Sequence, residues 1–598
     1  MASRAAIAPA ARAAITPAVT AVLLAIILCV AGAFAWITVG AKGATVDETH
    51  YIGLGRDLAQ RGDWTVPGAI LHPPLSYYLN SLLLPGFEWT DADRALHQDE
   101  RGRRLIARGE GTSILLRARL PFVLVHLLGA LVVFAAGRRW FGNGAGLAAA
   151  LLFAFEPTVL AHSSVATQDA LLAVLFFASV VLTEQWVRGG GRWHLLSAGG
   201  ATGFALLAKF PAMLLFAILP ALVLLSLGPG AHGVRRAGLL RLIASLAIGF
   251  AVLHIGYAPH YLAGGEALFG LPAPFVEGIR FQLSANEGHQ AFFMGEVASG
   301  GWFAYYPVAL AVKTSFALLA AVLVGAVVRA RALRREPRAR AYAELWLWLP
   351  PIAFLLFFVF VSRLAIGVRY VLPVYPFLAI LGGAGIASVL AHRSILQRSL
   401  AVVLLLLAPL VSFQACPDYL AYFNEPAGGA EGGRGILGDS NLDWGQDLPG
   451  LAHWMKETGV PTLYLAYFGN DAPEHYGIRY HYVPGWLYAP RGDFAAGRDR
   501  PADGRDFIAI GRSVLQGFWL PEPDLFHWLY EYERVAVIGG TLEVYDLAGS
   551  AAAHEQLAKI YERAGQFRLA ALERGQERGP ARNQDQGRER EQEQEPQR

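Results

Sequence analysis

Apolar residues in this chain come in long blocks. They cover residues 17–40, 115–137, 143–160, 165–187, 195–228, 240–258, 303–328, 343–362, 368–391 and 398–415. A helix needs about 17–25 mainly apolar residues to cross a bilayer, so the blocks predict a polytopic α-helical membrane protein. The block at 195–228 is too long for one crossing and is interrupted by Lys209-Phe210-Pro211. Arg188 and Arg192 precede it; Arg235, Arg236 and Arg241 follow it. Positive charge collects on the cytoplasmic side, so both flanks lie inside and the block folds as a hairpin of two helices. The sum is about eleven spans. The same bias then holds along the chain. Arg138-Arg139, the arginines from Arg329 to Arg340 and the segment from His392 to Arg398 all fall inside.

The segments predicted outside are 41–114, 161–164, 259–302, 363–367 and everything after 415. Residues 1–16 are then a cytoplasmic N-terminus. Residues 17–415 form a membrane domain with large outer loops at 41–114 and 259–302, residues 416–550 a soluble outer domain, and residues 551–598 a helix and a tail. Within the soluble domain, 446–458 reads as an amphipathic helix. Residues 462–468, 506–514 and 534–547 read as strands, the last divided by Gly539-Gly540, which predicts a small α/β unit. The tail after Gly575 lacks the apolar residues needed to fold. Residues 81–113 carry Arg94, Arg101, Arg103, Arg104 and Arg108 among acidic partners. They read as amphipathic helices on the outer membrane face or as a polar linker. The first block has a rival reading as a cleaved signal peptide, but it exceeds the ~7–15 residues of a signal core. Either way Asp47 is outside.

Composition agrees with the blocks. The chain is 54% hydrophobic and 16% charged, with a mean hydropathy of +0.37; soluble domains carry about 25% charged residues. A net charge of +3, with no basic patch interleaved with aromatics, argues against nucleic-acid binding. Cys29 lies inside one apolar block and Cys416 just after another, so no disulfide is expected, and no Cys/His spacing suits zinc.

Charged groups beside an apolar chain mark candidate chemistry. Asp47-Glu48 directly follow the first block. Adjacent carboxylates cannot face one direction, so one enters a cleft while the other caps or pairs. Either is a candidate base for a hydroxyl; Asp47 as a helix N-cap is the equal alternative. Asp169, in Ala166-Thr167-Gln168-Asp169-Ala170, starts the next span on the same side, with Glu156 and His162 nearby. Carboxylates from separate loops can meet on one metal or one sugar. His72 precedes Pro73-Pro74, which fix the backbone around it. Arg363 and Arg369 bracket an outer loop against the charge bias and call for an anionic partner, phosphate or a lipid headgroup. Lys313, deep in an apolar block, is costly unless paired, whereas Lys209 at the hairpin tip reads as snorkelling. The loop 259–302 carries His260, Glu277, Arg280, Glu287, His289 and Glu296, a possible lid. Asp439-Ser440-Asn441-Leu442-Asp443-Trp444-Gly445 imitates the start of a calcium loop. Trp444 and Gly450 stand where that loop needs Gly and Glu, so turn hydrogen bonds are the better reading.

Asp47-Glu48 after the first span, His72-Pro73-Pro74-Leu75 and Thr167-Gln168-Asp169-Ala170 together resemble the polyprenol-phosphate-sugar glycosyltransferases of the GT-C fold. Within these the chain is similar to the bacterial protein O-mannosyltransferase and aminoarabinose-lipid A transferase group. Gly288 to Gly295, Ile366 to Pro373, Tyr422-Phe423-Asn424-Glu425 and Asp439–Leu448 extend the similarity to roughly residues 17–550. The resemblance implies an enzyme of the bacterial inner membrane, with its site and C-terminal domain periplasmic. It would move a sugar from a polyprenyl-phosphate-linked donor to a hydroxyl acceptor on protein, lipid or glycan, with inversion, among membrane lipids. It implies Asp47 as general base, with Asp169 and Glu48 as further acidic candidates. Arg369 and His72 would hold the lipid phosphate, with Arg363 and Lys313 as further candidate cations. His289 falls on a loop that relatives use near donor or metal; a divalent metal is an open expectation. The chain departs from the group at His72, where the aminoarabinose enzymes carry Lys, and at Ala365, where relatives often have Asn. A lipid-linked sugar transporter would place charges midway through spans and often shows inverted repeats. A non-catalytic envelope assembly protein would tolerate loss of both Asp47 and Asp169.

Overall fold

The computed structural model describes residues 16–575, apart from 67, 87–88, 109–111, 227–231, 286–288, 336–337, 393, 485–505 and 548. The N-terminus before residue 16, the tail after Gly575, and Glu287 and Gly288 of the loop motif lie outside the described residues.

The chain is mostly helical and multi-pass. Seven described helices, from Pro17–Ala41 to Ile395–Ala415, are long and apolar enough to cross a membrane. Asn143–Ala154 and Pro157–Ser163 make an eighth, bent by 62°. Two shorter apolar helices, Phe210–Leu225 and Glu344–Phe360, fall below span length. By length alone this is fewer than the eleven crossings expected, because block 195–228 is divided at Lys209 into Arg192–Ala208 and the short stretch ending at Leu225, and block 343–362 supplies only Glu344–Phe360. Block 303–328 breaks between Tyr305–Lys313 and Phe316–Leu333, where the Ser315 hydroxyl caps the second helix by accepting from the Leu318 N–H at 3.3 Å, and the second helix alone is of span length. Block 368–391 begins with a 3-10 turn, Val368–Val374, ahead of Tyr375–Leu390.

Close approaches at small residues fix how neighbouring helices run. Gly199 lies against Ser245 and Ile248, Gly203 against Gly249 and Val252, and Gly256 against Leu207. The helices Arg192–Ala208 and His232–Gly256 are therefore parallel, and the chain between them must return across the bundle. A Cβ at Gly203 would stand 2.5 Å from Val252, so side-chain volume is excluded at this seam. Lys209, in extended conformation, ends the first arm, and Leu215–Leu225 begins the return.

The segment after the first span is a helix, Val46–Arg61, opened by Thr45 and Glu48 as a capping box. Gln98–Arg108 crosses it at Gly53 and Gly102, where a Cβ on Gly102 would overlap the Thr49 carbonyl. Leu105, Ile106 and Arg101 are buried in this packing, and Arg101 Nη1 donates to Asp57 at 2.9 Å. That helix thus spends its apolar side on protein, which corrects the expectation that it lies on the membrane.

The C-terminal domain is a five-stranded mixed sheet in the order Tyr480–Tyr482, Leu463–Ala466, Phe507–Gly511, Leu542–Asp546, Glu533–Ile538. The first three strands are parallel and the last two pair antiparallel, with Tyr464 opposite Ile508 and Ile508 opposite Tyr545. Leu448–Thr458 packs one face through Leu448, Leu451 and Met455; Ala551–Arg563 packs the other through Leu557, Ile560 and Tyr561. The domain therefore runs past residue 550. The expected helix 551–575 is two helices, Ala551–Arg563 and Phe567–Glu573, parted at Gly565 in left-handed conformation.

Candidate active site

Asp47 and Glu48 are successive residues in the first turn of one helix, so their side chains point about 100° apart, as 3.6 residues per turn requires. Glu48 turns inward and is fully buried. Arg119 grips it with Nε to Oε1 at 2.7 Å and Nη2 to Oε2 at 2.6 Å. The backbone N–H groups of Thr45 and Ala166 also donate to it, at 2.9 and 2.7 Å. Burial opposes its charge, but the Arg119 guanidinium and these hydrogen bonds prevail and hold the carboxyl below its ordinary range. Both oxygens are committed and no substrate reaches them, so Glu48 is a structural anchor and not a catalytic carboxylate.

Asp47 turns the other way and lines an open cleft of about 410 Å³. Its Oδ2 accepts from Arg369 Nη1 at 2.8 Å and from the Tyr51 hydroxyl at 3.2 Å. The same Arg369 nitrogen stands 3.7 Å from Asp169 Oδ2. Asp169 is buried at the start of its helix, and Lys209 Nζ reaches its Oδ1 at 2.6 Å. Gln168 donates to the Tyr51 hydroxyl at 3.1 Å, linking the two acidic segments a second time. Two carboxylates and two cations from four separate parts of the chain thus share one site. The Arg369 guanidinium also lies over the indole of Trp444, at 4.3 Å.

His72 lines the cleft with its Nδ1 buried and without a partner. Burial, and then the neighbouring Lys209 charge, push its pKa well below the ordinary imidazole range. It is a neutral hydrogen-bonding group here. His289 lines the cleft as well. Its Nδ1 donates to the Gln290 carbonyl at 2.8 Å, its ring meets Trp519 edge-on, and burial lowers its pKa.

Two expected cations are elsewhere. Arg363 is exposed and outside the cleft lining. Lys313 is buried and donates to the backbone carbonyls of Leu420, Tyr422 and Asn441, so it clamps the C-terminal domain to the membrane helices and does not reach the cleft. Glu156 also serves structure, accepting from the Ser315 N–H at 3.0 Å and its hydroxyl at 2.6 Å.

Three site residues were misjudged or passed over in sequence. Lys209 does not snorkel: it is buried against Asp169, and a lysine inside an apolar block was the available signal. Tyr51, one helical turn after Asp47, carried no distinct signal. Asp439, in the calcium-like segment, lines the cleft in left-handed conformation, and burial lifts its carboxyl to about 7 against the pull of Arg369. The rest of that segment makes turn and bridging bonds. Asn441 accepts from the Val368 N–H at 2.8 Å, and Asp443 accepts from the Gly445 and Ser513 N–H groups.

Among the described residues no three His, Cys, Asp or Glu side chains gather to hold a metal ion. Asp47 and Asp169, carboxylates that the sequence allowed to meet on one metal or one sugar, instead face a guanidinium and an ammonium. These residues do not fit a metal.

Residues 111–255 match the family model described as dolichyl-phosphate-mannose-protein mannosyltransferase. The matched segment contains Arg119, Asp169 and Lys209. Among solved structures, the chain is similar to ArnT from Cupriavidus metallidurans in the apo state, at 16% identity and a TM-score of 0.47, over 89% of this chain and 98% of that one. It is similar to the oligosaccharyltransferase of Archaeoglobus fulgidus in the apo form, at 14% identity and a TM-score of 0.44, over 73% and 58%. A third similarity is to the Pmt1-Pmt2 protein O-mannosyltransferase complex of S. cerevisiae, at 18% identity and a TM-score of 0.30, over 42% and 35%. No curated protein sequence matches the chain.

Proposed function

We propose that this protein is a membrane glycosyltransferase that moves a sugar from a polyprenyl-phosphate-linked donor to a hydroxyl acceptor on the periplasmic side of a bacterial inner membrane. The observation that carries the reading is Arg369, which bridges Asp47 at the cleft wall and Asp169 behind it. A lipid phosphate needs a cation where its charge develops, and a planar guanidinium suits it. An acceptor hydroxyl needs a base within hydrogen-bond reach, and Asp47 is the cleft carboxylate beside that cation. The family-model match over residues 111–255 supports the same class of donor.

In this reading the acceptor oxygen bonds to the anomeric carbon as its proton passes to Asp47. The bond from that carbon to the phosphate oxygen breaks, and its electron pair stays on the phosphate. The products are an inverted glycoside and a polyprenyl monophosphate. Asp169, itself held by Lys209, keeps Arg369 in place, and neutral His72 offers a hydrogen bond to phosphate or sugar. The test is transfer from a polyprenyl-phosphate sugar by purified protein in nanodiscs. Asp47→Asn is expected to lower turnover by about 10²–10⁴-fold, the contribution of a general base, with unchanged yield and melting. Turnover at the wild-type rate would remove Asp47 from this role.

A further inference from the structure

As the site stands, its base is engaged. Asp47 Oδ2 accepts from Arg369 Nη1 at 2.8 Å and from the Tyr51 hydroxyl at 3.2 Å, so that oxygen already has hydrogen-bond partners before any acceptor arrives. The cation is engaged as well, since Arg369 and Lys209 balance Asp47 and Asp169 in charge. The two halves of this balance are not equally fixed. Asp169 is 1% exposed, holds Lys209 at 2.6 Å and is backed by the Thr167 hydroxyl at 3.4 Å. Asp47 is 26% exposed and faces the open cleft from the first turn of its helix. Arg369 itself is 7% exposed, and its Nε is buried without a hydrogen-bond partner. His72 Nδ1, on the same cleft, is likewise buried and unpartnered. An unsatisfied buried donor such as Arg369 Nε is costly and marks a place where a ligand oxygen belongs.

We propose that Arg369 is exchanged between Asp47 and the phosphate of the lipid-linked donor, so that Asp47 becomes available as a base only once the phosphate is bound. This rests on the donor reading above and adds an order to it: donor first, activated acceptor second. Asp169 is the fixed post to which Arg369 stays tethered, and Asp47 is the partner it gives up. A phosphate oxygen competes well for a planar guanidinium because it accepts two parallel hydrogen bonds. The chemistry then reinforces the exchange. Transfer leaves Asp47 protonated, so it no longer attracts Arg369, while the phosphate goes from diester to monoester and gains negative charge. Both changes hold Arg369 on the leaving phosphate. When Asp47 returns its proton to water it recovers the guanidinium, which favours release of the spent lipid. Without donor the base stays masked, so the empty site does not activate acceptor hydroxyls.

The exchange makes a binding prediction that no general loss of structure can imitate. Affinity for undecaprenyl monophosphate is measured in nanodiscs for the wild type, Asp47→Asn, Arg369→Gln and the double variant. Removing the competitor should tighten binding in Asp47→Asn, on the order of tenfold for one charged hydrogen bond. Arg369→Gln should weaken it by a similar factor, and in that background Asp47→Asn should have little further effect. Unchanged or weaker binding by Asp47→Asn would overturn the exchange while leaving the donor reading intact. Equal tightening in both backgrounds would also overturn it, since simple charge repulsion would then suffice. Wild-type affinity in Arg369→Gln, or no binding by any variant, would overturn the donor site itself and the exchange with it.

Discussion

Glu48 and Arg119 form a two-pronged pair, 2.7 and 2.6 Å between donors and acceptors, with neither side chain exposed. The pair ties the helix after the first span to the start of the Thr112–Phe141 helix, and Arg119 adds bonds to the carbonyls of Val39, Lys42 and Gly43. It therefore sets where the neighbouring Asp47 stands. Breaking a buried pair by removing one charge costs about 3–5 kcal/mol, because the other is left uncompensated. Glu48→Gln should accordingly lower the melting temperature and the folded yield, whereas Asp47→Asn should leave both near wild type. Thermal unfolding of the two purified variants compares them directly, and equal stability would contradict the division of labour between these carboxylates.

The Lys209–Asp169 pair allows stability and function to be separated. Lys209→Met leaves a buried carboxylate with Arg369 as its remaining close cation. Loss of about 3 kcal/mol or more is expected, together with loss of transfer. Replacing both, as Lys209→Met with Asp169→Leu, should restore much of the stability, since an apolar pair can substitute for a buried ion pair. It should not restore transfer. Melting and turnover of the single and double variants check this, and a double variant that transfers normally would remove the pair from the site.

Lys313 predicts a mechanical effect. Its ammonium satisfies three backbone carbonyls of the segment that leads into the C-terminal domain, and Asn424 donates back to Ala311 and Thr314 at 2.6 and 2.9 Å. Lys313→Met removes the donors and leaves buried acceptors unpaired, at about 1–3 kcal/mol each. Limited proteolysis should then cut near residues 416–424 faster than in the wild type, releasing the C-terminal part while the membrane part persists. An unchanged cleavage rate would argue against the clamp.

The C-terminal helices should respond to pH. His554 sits between Asp506, at 3.1 Å, and Glu573, at 2.7 Å, with the Tyr464 hydroxyl also on Glu573. Hydrogen bonds to the two carboxylates raise its pKa from 6.5 to about 9. A raised histidine contributes fully below its unfolded pKa and loses that contribution as pH climbs through its folded pKa. Protection of the Ala551–Arg563 helix from hydrogen exchange should therefore weaken between about pH 6.5 and 9 beyond the intrinsic rate change. His554→Gln should flatten this dependence, and a wild-type profile already flat across that range would refute the assignment.

Length and period of apolar residues sufficed for the helical membrane class, because a bilayer demands unbroken apolar runs whatever the partners. Block length together with the arginines on both flanks sufficed for the hairpin at Lys209-Phe210-Pro211, whose arms are needed to let two neighbouring helices run parallel. Alternation and the Gly539-Gly540 break marked the final strands of the sheet. Asp47, Asp169 and Arg369 were legible as candidates because a charge beside an apolar block must have a partner. The identity of that partner was not. Pairing distances such as Arg369 to Asp47 join residues more than three hundred positions apart. Only packing in three dimensions decided that Glu48 and Lys313 hold the scaffold, that Lys209 backs Asp169, and that His72 faces the cleft uncharged. A sequence fixes which groups must be neutralised or hydrogen-bonded, since that cost is local. Which group meets that need depends on where distant segments are brought together, and that is set by the packed fold.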